Sequence, residues 1–123
     1  MIIVATVDLS TEFEPQVLKA YTKNEAVMKI TIKGLDPSRT FWCECDINVK
    51  PPLTLAHDKE LGLGRTRIGI IKPNGTIQKP IRLYTSPNNF PDEYPISIVA
   101  YVYDEDGAIA ERLEFSKGIR CEG

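Results

Sequence analysis

The sequence predicts an all-β domain of two packed layers, and three observations predict it. Apolar and polar residues alternate in steps of two through segment after segment, the signature of half-buried strands. No stretch sustains the longer period of an amphipathic helix. Glycine, proline, asparagine and aspartate cluster between the alternating segments, where turns require them. The chain has 123 residues, 42% of them apolar and 26% charged. That suffices for a single hydrophobic core and is ordinary for a globular protein.

The elements follow in order. Ile3, Ala5 and Val7 alternate with Val4 and Thr6 in a first short strand. A polar stretch from Asp8 to Glu14 leads to Pro15, and Gln16 to Tyr21 reads as a piece of edge strand. Met28, Ile30 and Ile32 alternate with Lys29, Thr31 and Lys33, and Gly34 to Ser38 ends that strand with turn chemistry. From Thr40 to Val49, Phe41, Cys43, Cys45, Ile47 and Val49 share a wholly apolar face, which should look into the core. Trp42, Glu44, Asp46 and Asn48 take the other face, and Pro51-Pro52 closes the strand.

Leu53 to Gly64 is the least regular part, compatible with a short edge strand or one helical turn. Arg65 to Ile71 reads as a strand with Thr66, Ile68 and Ile70 on one face. Pro73-Asn74-Gly75 is a turn, and Ile77 to Tyr84 returns with Ile77, Ile81 and Leu83 on one side. Ser86 to Asp92 is a long crossing loop. Tyr94 to Tyr103 has the strongest pattern, Tyr94, Ile96, Ile98, Ala100 and Val102 sharing a face. Asp104 to Gly107 is a tight turn into a last strand, Ala108 to Phe115, and residues 117–123 read as a tail.

About seven strands separated by such turns imply an immunoglobulin-like β-sandwich with Greek-key connections, residues 1–123 forming a single domain. An up-and-down barrel is the rival architecture. The run Ile-Gly-Ile-Ile-Lys-Pro-Asn-Gly from Ile68 to Gly75, the strand Ile77 to Tyr84, and Pro91-Asp-Glu-Tyr-Pro-Ile-Ser-Ile98 together resemble Ig-like modules of the CARDB or NEW3 type. Those modules carry a Pro-x-Gly turn, an alternating strand, and a Pro-x-x-Tyr corner opening the next strand. The resemblance covers roughly the C-terminal two-thirds of the chain and describes a fold rather than a chemistry. It implies a spacer, adhesion or binding unit. The chain departs from those modules in having no secretory leader and in standing alone, which points to a free-standing prokaryotic protein of the same fold. Tyr94 is then expected to act as a tyrosine corner, its hydroxyl bonding upstream backbone.

Charge and hydropathy narrow the function classes. The formal net charge is −2, from 15 basic and 17 acidic residues. A phosphate-tracking surface needs a basic excess, so nucleic-acid binding is not expected. Arg65, Arg67, Arg82 and Arg112 fit the solvation of strand faces and the blunting of sheet edges. The longest apolar run, Met1 to Ala5, is far too short for a membrane span or a leader, which points to the cytoplasm. A module excised from a secreted protein would read the same way.

Several constellations invite chemistry. Cys43, Cys45, Cys121 and His57 offer a zinc-like donor set. Their spacing is not that of a zinc knuckle, and a Cys-x-Cys pair on a strand turns both thiols inward, where cysteine serves as a small hydrophobe. No metal or other cofactor is expected. A disulfide from Cys121 to Cys43 or Cys45 stays open as an alternative, against the odd cysteine count. Asp104, Glu105 and Asp106 supply oxygens suited to calcium, or simply a solvated hairpin turn. Asn74-Gly75-Thr76 matches a glycosylation acceptor and equally an ordinary turn. Gly62-Leu-Gly64-Arg65 precedes a strand, whereas a phosphate cradle needs a helix N-terminus. With a single histidine and no nucleophile motif, no catalytic residue is assigned and no enzyme is expected.

One surface stands out. In an Ig-like sandwich the strand of Trp42 lies beside the strand of Tyr101. Trp42, Val99, Tyr101 and Tyr103 would then form an apolar patch on a sheet face that should be wet. Tryptophan and tyrosine combine large rigid area with a polar tip, and they recur at interface hot spots. The patch is therefore the candidate contact surface for a protein partner or a second copy. Alternatively, the same aromatics stack on a carbohydrate or small ligand. Two bland readings compete: the Leu53 to Gly64 loop, with Leu55, Leu61 and Leu63, covers the patch, or the sheet is flipped and Trp42 lies in the core.

Overall fold

The computed structural model describes residues 5–123. They form nine strands: β1 (Val7–Glu14), β2 (Val17–Lys19), β3 (Asn24–Gly34), β4 (Phe41–Val49), β5 (Leu53–Thr54), β6 (Leu63–Ile71), β7 (Thr76–Thr85), β8 (Asp92–Tyr103) and β9 (Ile109–Glu122). A four-stranded sheet has the order β1-β3-β7-β5 and a five-stranded sheet the order β2-β9-β8-β4-β6. The chain changes sheet at each connection from β1 through β8 and stays in one sheet only for the β8–β9 hairpin, with the Greek-key connectivity of an Ig-like β-sandwich. All pairings are antiparallel except β2 with the end of β9. No helix among the described residues is long and apolar enough to cross a membrane.

The alternating strands place the core as their pattern dictates. Ala26, Met28, Ile30 and Ile32 of β3 face Cys43, Cys45, Ile47 and Val49 of β4 and Ile96, Ile98, Ala100 and Val102 of β8, all buried. Tyr94 opens the inner face of β8, and its hydroxyl donates to the main-chain oxygen of Phe90, the expected corner. Asn89 pins the crossing loop: its side-chain nitrogen donates to the Lys19 carbonyl at 2.9 Å and its main-chain carbonyl accepts from the Tyr21 amide at 2.7 Å.

Four sequence readings change. The strand count is nine rather than about seven, because two short edge pieces, β2 and β5, pair as strands beside the seven longer ones. The expected first strand falls partly on residues 3–4, outside the described residues, and the polar stretch after it is β1. There Asp8, Ser10, Glu12 and Glu14 are outward, while Val7, Leu9, Thr11 and Phe13 face in. The charges hid the alternation because one inward position, Thr11, is itself polar. Residues 117–122, read as a tail, are the end of β9, held by β8 on one side and β2 on the other. The alternation there is interrupted by Lys117 and Gly118, so only strand pairing reveals it.

The fourth change lies in β6. Its register against β4 slips between Cys43 and Glu44, a β-bulge at Ile68 and Gly69, the glycine at φ 143°. The bulge shifts the phase by one residue. Ile70, expected inward with Thr66 and Ile68, is 63% exposed, and Ile71 is buried instead.

Candidate functional site

The outer face of the five-stranded sheet follows from register alone. Residues directly opposite one another in a ladder share a face. Four transverse rows result, running from β6 across β4 and β8 to β9. They are Ile70, Trp42, Tyr103 and Ile109; Arg67, Glu44, Tyr101 and Arg112; Arg65, Asp46, Val99 and Glu114; and Leu63, Asn48, Ser97 and Ser116. The four patch residues singled out by sequence, Trp42, Val99, Tyr101 and Tyr103, therefore lie together, each half-buried.

The rings of Trp42 and Tyr103 stack with centroids 4.1 Å apart and planes 15° from parallel. The Tyr103 hydroxyl donates to Glu44 Oε1 at 2.9 Å, and that bond, with partial desolvation, pushes its phenol above the ordinary 10.0. Arg65 grips Asp46 with both prongs, Nε to Oδ1 at 2.6 Å and Nη2 to Oδ2 at 2.9 Å, and lies 3.6 Å from Glu44. The guanidinium holds the Asp46 carboxyl below its ordinary 3.8. Arginine planes also cover the rings: Arg65 and Arg112 lie 5.4 and 5.8 Å from the Tyr101 centroid, and Arg67 lies 5.6 Å from that of Trp42. These are cation–π distances. The patch is thus an aromatic and arginine lattice rather than a bare apolar surface.

Neither covering arrangement holds. Leu55 packs on the core, while Leu61 and Leu63 are exposed. Trp42 faces outward because Cys43 and Cys45 take the inward phase of β4. Sequence reasoning missed Ile70 and Ile109, exposed by 63% and 59%, which extend the apolar surface to both flanking strands, and Leu63, 61% exposed in the polar row at the far end of β6. Gly69 inside a strand was the available signal, since such a glycine marks bulges.

The remaining constellations sit apart. Cys43 and Cys45 are wholly enclosed, and the neighbouring Cys43 thiol together with burial pushes the Cys45 thiol far up. Cys121 is buried at the other end of the sheet, 3.4 Å from the Asn89 side-chain nitrogen, and all three thiols are unbridged. His57 lies edge-on to Tyr84. Asp104 Oδ1 accepts from the amides of Asp106 and Ala108 at 2.9 and 3.0 Å, so that carboxylate closes its own turn, with Gly107 at φ 81°.

The sequence matches no family model and no curated protein. The fold does have solved counterparts. Over 98% of its length the chain superposes on 93% of the CARDB domain of a Pyrococcus furiosus protein, described in complex with di-metal ions, at 14% identity and a TM-score of 0.51. It superposes equally, 98% of its length at 14% identity and a TM-score of 0.52, on the sporulation control protein Spo0M of Bacillus subtilis, spanning only 51% of that chain. At such identity the likeness is one of fold. The chain has an Ig-like β-sandwich fold, like that of the CARDB domain.

Proposed function

We propose that this sandwich is a non-enzymatic binding or scaffolding module that works through the outer face of its five-stranded sheet, joining a protein partner or a second copy. One observation carries the reading. The stacked Trp42 and Tyr103 continue sideways into Ile70 and Ile109, a row of four large apolar side chains across a face with no covering layer among the described residues. Contiguous apolar surface of this kind marks contact sites, and tryptophan, tyrosine and arginine dominate interface energetics. The ring faces of Trp42 are already shared with Tyr103 and Arg67, which favours a protein surface over a sugar ring.

The test is sedimentation of the protein and of Trp42→Ala across a range of concentrations. Self-association that Trp42→Ala weakens, with the domain still folded by circular dichroism, supports the reading. Association unaffected by Trp42→Ala and by Ile70→Ser would overturn the assignment of this face.

A further inference from the structure

The same sheet has a free edge, and its chemistry selects a partner. Four strands end the two sheets, and β9 is open wherever the three-residue β2 does not cover it. β5 has two residues and β2 three, too short to template a pairing. The free side of β1 is blocked where Lys117 Nζ donates to the Thr11 carbonyl at 2.6 Å. Most of β9 is also open, but its outward charges, Arg112 and Glu114, pair with each other at 2.9 Å. β6 differs. It pairs only with β4, and among the described residues no donor or acceptor satisfies its other side from Leu63 to Ile71.

The outward side chains along that edge are Leu63, Arg65, Arg67 and Ile70, two arginines between two well-exposed apolar residues. Arg65 is committed to Asp46, whereas Arg67 has no carboxylate partner among the described residues. A second copy is a poor fit here. Twofold antiparallel pairing of two β6 strands centred on Arg65, Thr66 or Arg67 sets arginine across from arginine, which is destabilising. The device that blunts the edge against itself is complementary to the opposite charge.

We propose that β6 accepts an extended segment of a partner protein as an added antiparallel strand. That segment carries acidic side chains at the alternate positions facing Arg65 and Arg67 and apolar side chains at its two ends. Main-chain bonds supply affinity and the alternate side chains supply selection. The proposal rests on the binding reading above and extends the same face by one strand, next to Ile70 and Trp42.

The probe is a blocked, labelled peptide of about seven residues, the span of a short strand, alternating leucine-threonine-glutamate-threonine-glutamate-threonine-leucine. Fluorescence anisotropy with the full chain is expected to show saturable binding that weakens as salt is raised. Replacing both glutamates by lysine, or Arg67 by Glu in the protein, is expected to weaken it about tenfold or more. Hydrogen exchange is expected to slow in residues 63–67 of the bound protein. Equal binding of the lysine peptide, slowed exchange elsewhere but not in β6, or no binding at all overturns the proposal. Failure here alongside Trp42-dependent self-association leaves the aromatic face as the contact site. Success with a strict monomer assigns binding to the edge rather than to self-pairing.

Discussion

The two sheets bury similar apolar faces against each other, yet their outer faces are made of different material. On the four-stranded sheet the outward rows read Asp8, Lys33 and Thr76; Ser10, Thr31 and Gln78; Glu12, Lys29 and Pro80; Glu14, Val27 and Arg82; and Glu25, Tyr84 and Thr54. Apart from Val27 and a single tyrosine, Tyr84, packed edge-on by His57, these are polar, charged or small side chains, and the one close ion pair among the described residues there, Arg82 to Glu25, joins two exposed groups. On the five-stranded sheet the equivalent rows carry a tryptophan, two tyrosines, a valine and three arginines, tied by stacking, a bidentate ion pair and cation–π contacts. An outer face needs only to be wettable. Rigid aromatic area kept there does nothing for the core, and that contrast directs the functional reading to the five-stranded sheet.

Four measurements break or sharpen the contrast. The largest effect is expected at Trp42. Trp42→Ala removes half-buried ring area and the stack on Tyr103, and should lower the unfolding free energy by about 2 kcal/mol in urea titration. A loss no greater than that of an exposed residue on the other sheet would make the two faces equivalent. Next comes Asp46→Asn. A carboxyl held low by Arg65 adds stability above its unfolded value, and that stability is lost as pH falls through the lowered folded value. The stability gap between the protein and Asp46→Asn should therefore be full well above pH 3.8 and close in stronger acid, in unfolding curves at several pH values. It should also shrink with salt, since Arg65 is largely exposed.

Tyr103→Phe keeps the stacked ring and deletes only the bond to Glu44, so its effect on stability should fall below that of Trp42→Ala. Absorbance titration should also lose a phenol that ionises above 10.0. The smallest effect is expected for Gln78→Ala on the four-stranded sheet, within about 0.5 kcal/mol of the parent by the same urea titration.

Strands whose two faces differ sharply in polarity were legible from sequence. β3, β4, β7 and β8 lie where their alternation puts them, and the tyrosine corner at Tyr94 forms as its motif implies. Segments whose inward positions are themselves polar or small were not. β1 hides behind Thr11 and a run of carboxylates, and the end of β9 behind Lys117 and Gly118. The candidate surface shows the same split. Period-two patterning put Trp42 on one outward face and Val99, Tyr101 and Tyr103 on another. It carried no information about Arg67 over Trp42 or Arg65 over Tyr101, because those contacts join strands through register.

By itself, then, the sequence determined the fold class, the inward faces of the central strands and the outward phase of the aromatics, since all three are properties of alternation within one strand. Tertiary structure decided what lies beside what: the bulge that turned Ile70 outward, the ion pair of Arg65 with Asp46, and the unpaired edge of β6. Those depend on which strands pair, and pairing is settled by burial across the whole sandwich rather than by any local stretch of chain.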